Sequence, residues 1–213
     1  MKVEVISATP FPIDVISQAA GICYGKNDSS CKRVANCVKM DHTSILEHAS
    51  VTFRVEGISR ACMAQLTRHR MASFCVESQR YNKYDLSGDD WYIIPEAFKE
   101  EKLVGDWMLE SWFRTMMKSA AEAYRSALEE GIRPEDARYM LPEATKTNLF
   151  VTMNCRELFH FLSMRADKAA QWEIREMAYS IIETLHGHSD GWSFLMDLYE
   201  EWKKAKEHKK AKE

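Results

Sequence analysis

The sequence predicts an α+β fold, in which a small, mainly antiparallel sheet is flanked by helices within a single domain. One observation is the order of elements along the 213 residues, which runs β, α, α, β, α, loop, α, β, α, α. This order lacks the regular βαβ alternation of a doubly wound parallel sheet. A second observation is that two internal segments alternate apolar and polar residues, as half-buried antiparallel strands do.

The first part of the chain predicts one strand and two helices. Val3 and Val5 belong to an opening strand that ends at "TPFP". "IDVISQAAGICYG" has helical spacing, with Gly25 as its stop. "DSSCKRVANCVKM" is a second helix, for which Asp28 or Ser29 is the expected N-cap.

A strand and a helix then lead into a polar loop. In "ASVTFRVEG", Val51, Phe53 and Val55 share one face, which predicts a half-buried strand. "SRACMAQLTRHR" returns to a helical period, with Ser59 as the candidate N-cap. The residues expected on its buried side are Ala61, Met63, Ala64 and Leu66. "SFCVESQRYNKYDLSGDD" is irregular and polar, which is typical of a functional loop.

The second half predicts a long helix, one more strand and two further helices. The long helix is expected from about Lys102 to Glu130, with Gly131 closing it. "TNLFVTMN" alternates as a strand, and "CRELFHFLSMRAD" and "QWEIREMAYSIIETLHG" are helical. We expect one domain over residues 1–200 and a charged, frayed tail over residues 201–213.

Composition and charge exclude several classes of protein. Hydrophobic residues make up 46% and charged residues 29% of the chain, a balance typical of a globular domain. The formal net charge is −3, and since the tail "KKAKEHKKAKE" contributes +4, the rest sums to −7. An acidic body argues against a general nucleic-acid-binding protein. No apolar signal region or bilayer-length segment is present, so we expect a cytoplasmic protein without a membrane partner.

The six cysteines form no C-x-x-C pair and match no structural zinc site. We therefore expect free thiols in a reducing compartment. Cys75 lies among arginines, which would favour a thiolate nucleophile, although a lone cysteine without an identifiable base is more often a small buried side chain. The hydroxyl of Ser78 could likewise be a nucleophile, or it could simply bond a ligand.

The histidines do not predict a metal site. His42 and His48 lack the i, i+4 spacing that places two imidazoles on one helical face, and His186 and His188 point apart on a helix. Ordinary hydrogen-bonded histidines are the preferred interpretation.

Arginine is the residue type that points to a ligand. The chain has only eight glycines and neither G-x-G-x-x-G nor G-x-x-x-x-G-K-[ST], so a glycine-rich phosphate loop is not expected. The segment "RHRMASFCVESQRY" (68–81) holds three arginines, one glutamate and no lysine. Because the planar arginine fork meets phosphate oxygens or a pyrimidine edge through paired hydrogen bonds, this cluster predicts an anionic nucleotide site.

Four blocks of the sequence resemble the flavin-dependent thymidylate synthase family, and they stand in the same order along the chain as in that family. The first is the run Arg68-His69-Arg70 followed by Ser78 and Arg80-Tyr81. The others are "HTSILEHASVTF" (42–53), "ARYMLP" (137–142) and "NCRELFHFLSMRADKAAQWEIR" (154–175). The chain departs from the commonest pattern at Cys75-Val76, where many members have Asn-Glu, and at His160, where some have Asn.

The resemblance implies the reductive methylation of dUMP at uracil C5 to give dTMP. Methylenetetrahydrofolate supplies the one-carbon unit, and FAD supplies a hydride that NADPH replenishes. It also implies a homotetramer whose active sites are shared between subunits. The implied flavin contacts are Ser44, Arg68, His69, Arg70, Asn154, Arg156 and His160. The implied nucleotide contacts are Gln65, Arg68, Ser78, Gln79, Arg80, Arg138 and Arg165.

Arg165 is the catalytic residue that the resemblance implies, next to the N3–O edge of the uracil. A fixed guanidinium there would stabilise negative charge on the ring and so enrich C5. Leu158, Phe161, Leu162 and Arg165 share one helical face, which would hold the arginine still. From periodicity alone, a salt bridge to Asp167 or to a glutamate of the next helix is the simpler interpretation.

Two other functions compete with this one. Arg68, Arg70 and Arg80 with aromatic neighbours would suit a binding module for single-stranded RNA. The aromatic residues in question are Phe74, Tyr81 and Tyr84. Such a module should be basic outside the tail, whereas this chain is acidic there. A helical interaction protein without a ligand would leave the arginine cluster unexplained.

Overall fold

A computed structural model describes residues 1–22, 25–26, 28–84 and 86–210. The last residues expected in the first helix, Cys23 and Tyr24, lie outside this description, as do residues 211–213 of the tail. The strands are β1 (Lys2–Ala8), β2 (Ser50–Ser59), β3 (Ser73–Val76), β4 (Leu103–Val104), β5 (Trp107–Met108) and β6 (Lys146–Asn154). The helices are α1 (Pro12–Ile22), α2 (Cys31–Lys39), α3 (Arg60–Leu66), α4 (Leu109–Glu129), α5 (Pro134–Ala137), α6 (Cys155–Arg165), α7 (Trp172–His186) and α8 (Asp190–Lys210). Short 3-10 helices cover Thr43–His48, Glu96–Phe98 and Arg138–Met140.

The main sheet has four strands in the order β1-β2-β6-β3. β1 and β2 are antiparallel, with Val3 opposite Val55 and a bulge between Val5 and Ser7. Cross-strand hydrogen bonds join Thr52 to Thr152 and Gly57 to Asn148, so rising residue numbers on β2 meet falling numbers on β6. The predicted α+β class with a small antiparallel sheet is therefore confirmed.

Two compact units make up this fold. Unit 1 comprises Met1–Glu56, Gln65–Cys75 and Leu149–Glu213, and unit 2 comprises Gly57–Ala64 and Val76–Asn148. In unit 1, α6 packs against α7 and α7 against α8. The buried side chains of this unit include Phe53, Phe161, Ile181, Trp192 and Tyr199.

Unit 2 has a core of its own along α4. Phe113, Met117 and Tyr124 lie at helical spacing and are buried together with Trp91 and Tyr92. Apolar burial of this kind is the main favourable contribution to folding, so the aromatic residues after the polar loop account for a separate packed centre.

The long helix of unit 2 begins later than predicted. α4 starts at Leu109, because β4 and β5 form a two-stranded hairpin in which Leu103 pairs with Met108. Gly105 has φ +60 at the turn, a conformation that glycine adopts without steric penalty. The expected C-terminal stop is confirmed, since the helix ends at Glu129 and Gly131 has φ +81.

Two predicted helix starts have different outcomes. Neither Asp28 nor Ser29 caps α2; Ser30 does so, because its side chain accepts a hydrogen bond from the N–H of Arg33. Ser59 caps α3 as predicted, since its Oγ accepts from the N–H of Cys62 at 3.0 Å. Cys62 is buried on that helix.

The buried side of α3 was only partly predicted. Leu66 is buried, whereas Ala61 and Met63 are half-buried and Ala64 is exposed. The helix has only seven residues, so apolar spacing over so short a segment did not identify the face that meets the core. The polar segment after it is also not entirely loop, because β3 covers Ser73–Val76 and joins the edge of the main sheet.

The C-terminal segment begins inside a helix. α8 continues to Lys210, and Trp202 packs at a tilt against Phe159 with ring centroids 5.8 Å apart. Lys203 donates from Nζ to the carbonyl of Ala166 at 2.6 Å. The first residues beyond 200 are therefore packed within unit 1. Among the described residues, no helix is both long and apolar enough to cross a membrane.

Candidate active site

The Arg68-His69-Arg70 segment forms a turn between α3 and β3. The backbone N–H of Arg68 donates to Gln65, and that of Ala72 donates to His69. This turn buries the imidazole of His69, which is 4% exposed, and leaves both arginines exposed. Within the described residues, no carboxylate is ion-paired with Arg68 or Arg70, so their charges remain available to an anionic ligand.

His69 is held between a carboxylate and a guanidinium. Arg165 Nε donates to His69 Nε2 at 3.1 Å, and His69 Nδ1 lies 3.0 Å from Glu157 Oε1. Because arginine always carries its protons, Nε2 must be the acceptor, and Nδ1–H donates to the carboxylate. Burial lowers the pKa of His69, while the Glu157 hydrogen bond partly opposes that effect. His69 is thus a neutral imidazole with a defined tautomer.

Arg165 lies at the C-terminal end of α6, beyond a buried apolar face. Leu158, Phe161 and Leu162 are fully buried, as their spacing predicts. The guanidinium also donates from Nη2 to the carbonyl of Gln65 at 3.4 Å. Asp167 does not serve as its ion-pair partner in the described structure and instead accepts from the N–H of Ala169. In the part of the chain described here, neither hydrogen of Arg165 Nη1 has a protein acceptor.

A cavity of about 460 Å³ in unit 1 collects three of the flavin candidates, Asn154, Arg156 and His160. Asn154 is the N-cap of α6, since its Oδ1 accepts from the N–H of Glu157 at 2.9 Å, and its amide nitrogen remains available as a donor. Arg156 is exposed and ion-paired with Glu47. The remaining lining residues are Asp41, Thr43, Leu46, Glu47, Met71, Glu157, Phe159, Trp202 and Lys206.

Two further features concern the flavin candidates Ser44 and His160. Ser44 is exposed on the 3-10 helix whose neighbours Thr43 and Leu46 line the cavity. His160 is exposed, and its ring centroid is 5.8 Å from that of His69 in a T-shaped arrangement. Arg156 and His160 thus share one face of α6, as their spacing predicts.

The nucleotide candidates Ser78, Gln79, Arg80 and Arg138 belong to unit 2. Arg80 Nε is 2.6 Å from Glu135 Oε2. Arg138 Nε donates to the carbonyl of Glu135 at 2.9 Å. Ser78 Oγ accepts from the N–H of Arg80 at 3.1 Å, and a cavity of about 350 Å³ is lined by Gln79 and Arg138.

Glu135 and Arg133 are members of this cluster that sequence reasoning missed. The Glu135 carboxylate bridges two arginines, since Arg133 Nη2 lies 2.6 Å from Glu135 Oε1. The side chain of Arg80 is 56% exposed and that of Glu135 is 20% exposed. A carboxylate therefore occupies Arg80 Nε, one of the donors that a phosphate group would need, and no local motif in the sequence links Glu135 to Arg80.

One group of potential metal ligands was also not foreseen. Ligand atoms of His69, Glu157 and His160 lie within 4.8 Å of one another. Both nitrogens of His69 already take part in hydrogen bonds, and a cation there would adjoin the Arg165 guanidinium. Hydrogen bonding accounts for this group, and the absence of a catalytic metal stays a prediction.

The thiols and aromatic side chains bear on the competing interpretations. Among the described residues, no disulfide bond joins Cys31, Cys37, Cys62, Cys75 or Cys155 to another cysteine. Cys75 is exposed on β3 rather than buried.

Tyr84 packs against the core of unit 2, and its hydroxyl accepts from Arg60 at 3.1 Å. Tyr84 is therefore half-buried and already bonded, whereas Tyr81 is 77% exposed beside Arg80, so the aromatic residues of the RNA-binding interpretation do not form one open stacking surface.

Comparisons with known proteins agree on one family. The model of the thymidylate synthase complementing protein family matches residues 4–188. The flavin-dependent thymidylate synthase of Pyrococcus furiosus is 37% identical over 203 residues, covering 89% of this chain and 81% of that protein. That of Geobacter sulfurreducens is 38% identical over 198 residues, covering 88% and 83%. A crystal structure of thymidylate synthase X from Helicobacter pylori with FAD and dUMP matches with TM-score 0.72 and 28% identity, covering 96% of this chain and 99% of that one.

Proposed function

Since the chain belongs to the thymidylate synthase complementing protein family and is a flavin-dependent thymidylate synthase, we propose that Arg165 polarises the uracil ring of dUMP during methylation at C5. The reaction converts dUMP to dTMP, with methylenetetrahydrofolate as the one-carbon donor and NADPH as the reductant of FAD. One observation carries the assignment of Arg165: its guanidinium is held by His69 and by the carbonyl of Gln65, while Nη1 is left without a protein acceptor in the described residues.

The residues of unit 1 suit a flavin dinucleotide. Exposed Arg68 and Arg70 lack carboxylate partners among the described residues and can take a pyrophosphate. The cavity beside Asn154 and His160 offers an amide donor and an imidazole within about 460 Å³, a size range typical of small-molecule sites. When bound, the flavin supplies the hydride, and these residues bind and orient it.

Arg165 would act on the pyrimidine through its planar fork. Nε already donates to His69, and one hydrogen of Nη2 already donates to the Gln65 carbonyl. The edge that includes Nη1 therefore remains for the N3–O side of the ring. A permanent cation at that edge stabilises the negative charge that the N3–O side of the ring carries in the transition state, and charge spread through the ring enriches C5. One such preorganised donor is typically worth roughly 2.7–4 kcal/mol in the transition state.

His69 contributes by fixing where that fork points. A neutral imidazole accepts the Nε–H of Arg165, whereas an imidazolium would place two donors face to face. The hydrogen bond from Nδ1 to buried Glu157, which is 6% exposed, keeps the accepting nitrogen on the Arg165 side. Glu157 and His69 are accordingly positioning residues for the guanidinium.

The phosphate of dUMP is assigned to unit 2. Arg80 and Arg138 supply two guanidinium groups, with Ser78 and Gln79 as neutral donors beside them. A phosphate dianion carries more charge than the Glu135 carboxylate that now pairs with Arg80, so it can displace this carboxylate when it binds.

Association into a homotetramer with shared active sites is also proposed, in a cytoplasmic enzyme. Large side chains next to the candidate residues are strongly exposed, among them Met71 at 73%, Tyr81 at 77% and Tyr139 at 82%. Exposed apolar groups beside binding residues are typical of surfaces that another molecule covers. Light scattering should give a tetramer mass. Mixing inactive Arg165→Ala and Arg138→Ala subunits should restore part of the activity, and no recovery in mixed tetramers would exclude shared sites.

The function is tested by a visible absorption spectrum followed by turnover. The purified protein should show a flavin spectrum or acquire one with FAD. NADPH should bleach this spectrum, and dTMP should form only when dUMP and methylenetetrahydrofolate are both present. A protein that cannot be reconstituted with FAD would refute the assignment.

A further inference from the structure

The cavity of unit 1 has a wall that the family match does not include. Trp202 and Lys206 of α8 line the cavity together with Arg156 and His160 of α6. The family model ends at residue 188, so it assigns no role to either residue of α8. The C-terminal helix therefore brings an aromatic ring and a cation to a site otherwise built from the matched region.

Trp202 is fixed in place on several sides. Its ring packs at 5.8 Å from Phe159 and at 6.4 Å from Tyr199, measured between ring centroids. Its Nε1 donates to Asp41 Oδ1 at 3.3 Å. Because the indole is half-buried and still lines the cavity, it presents a preorganised aromatic surface to a ligand.

Lys206 lies one helical turn after Trp202, on the same side of α8. Its Nζ is 4.3 Å from the centroid of the Trp202 ring and 3.1 Å from Asp41 Oδ1. Its side chain is 46% exposed, so the ammonium group can reach a ligand without being desolvated first. Lys203 anchors the same helix to the end of α6 through the Ala166 carbonyl.

Asp41 holds both residues from an unusual backbone conformation. It has φ +62 and follows the C-cap of α2, a position where glycine is the common residue. A residue with a Cβ atom adopts this conformation less readily than glycine does. The carboxylate that it gains accepts from Trp202 and pairs with Lys206.

The charges around the cavity leave room for an anion. Glu47 is paired with Arg156, Glu157 accepts from His69, and Asp41 is engaged with α8. The carboxylates of the wall are thus already bonded to cations or donors. An aromatic ring beside a lysine and an arginine suits a ligand that combines a flat heterocycle with phosphate groups.

We propose that Trp202 and Lys206 form part of the flavin dinucleotide site, with the indole against a ring of FAD and the ammonium group against its pyrophosphate. This inference rests on the proposed function, since it concerns the same cofactor. It adds the C-terminal helix to the binding site and makes FAD affinity depend on residues outside the family match.

The test is FAD titration of apoprotein, followed by tryptophan fluorescence. Lys206→Gln should weaken FAD binding about tenfold, the effect of losing one charge-assisted hydrogen bond. Lys204→Gln is the matched control, because Lys204 lies on the same helix, pairs with Glu200 and does not line the cavity described. The loss with Lys206→Gln should shrink at high salt.

Fluorescence reports on the aromatic contact independently of activity. FAD should quench wild-type emission, and Trp202→Phe should remove a distinct share of that quenching while thermal unfolding shows a folded protein. Trp107→Phe, which alters an exposed tryptophan of unit 2, should leave the quenching unchanged.

The outcomes separate this inference from the function it rests on. If wild-type protein binds FAD and Lys206→Gln, Lys204→Gln and Trp202→Phe all bind it equally well, the role of α8 is refuted while the function stands. If wild-type protein binds no FAD at all, both proposals fail.

Discussion

Arg165 Nε donates a hydrogen bond to Nε2 of buried His69 at 3.1 Å, across 96 residues of sequence. The histidine is in turn bonded through Nδ1 to Glu157. Through these two hydrogen bonds, the buried Glu157 carboxylate fixes the orientation of the Arg165 guanidinium.

Glu157→Gln should lower kcat for dTMP formation roughly 10- to 100-fold while changing KM for dUMP little. The amide keeps the shape of the side chain, but it can donate as well as accept, so His69 is no longer held in one tautomer. Losing a hydrogen bond to a charged group is worth about 1.5–3 kcal/mol. Steady-state kinetics and ¹⁵N NMR of His69 provide the measurement.

Glu176→Gln, which removes an exposed carboxylate of α7, is the control for Glu157→Gln. It should match wild-type protein in both assays. If Glu157→Gln left kcat and the His69 tautomer unchanged, Glu157 would have no positioning role.

Acidification should weaken the hydrogen bond between Arg165 and His69 and lower the free energy of unfolding. Burial places the pKa of His69 below its ordinary value of 6.5, so the unfolded chain binds a proton more readily than the native protein. Stability from this group is therefore fully present above pH 6.5 and is lost as pH falls through 6.5 toward the native pKa. Urea unfolding between pH 8 and pH 5 measures it, and His69→Gln should flatten this acid limb. An equally steep limb in that variant would assign the pH dependence to other groups.

Glu135→Gln should lower KM for dUMP by up to about fivefold. The substitution releases Arg80 and Arg133 from the bridging carboxylate, and an ion pair this exposed is worth about 0.2–1 kcal/mol. Initial rates at varied dUMP measure the effect, with the exposed Glu129→Gln of α4 as control. A higher KM in Glu135→Gln alone would mean that the carboxylate orders the arginines for phosphate instead of competing with it.

Much of the fold could be predicted because its elements carry strong local patterns. The alternation of Val51, Phe53 and Val55 corresponds to a fully buried face of β2, and Gly131 marks the end of α4. The hairpin before α4 was missed because Leu103, Val104, Trp107 and Met108 are exposed or sparsely packed. Two-residue strands leave too short a period to be recognised.

The sequence motifs predicted which residues belong to the candidate site but not the contacts between them. Arg165 and His69 belong to blocks that can be recognised in the sequence, but their contact joins distant segments. Glu157 carried a local signal, since an acidic residue at the third position of a helix suggests capping. Its carboxylate bonds His69 instead. Lys206 resembled a solvated charge, because no local pattern reveals that α8 brings it beside Asp41.

The most direct test of the account is single-turnover dTMP formation by Arg165→Lys loaded with FAD. Lysine keeps the positive charge but lacks the planar fork that can donate to His69 and to a pyrimidine edge at the same time. We expect wild-type flavin content and a turnover rate reduced roughly 10²- to 10³-fold. Thymidylate formation near the wild-type rate would contradict the central role given to Arg165.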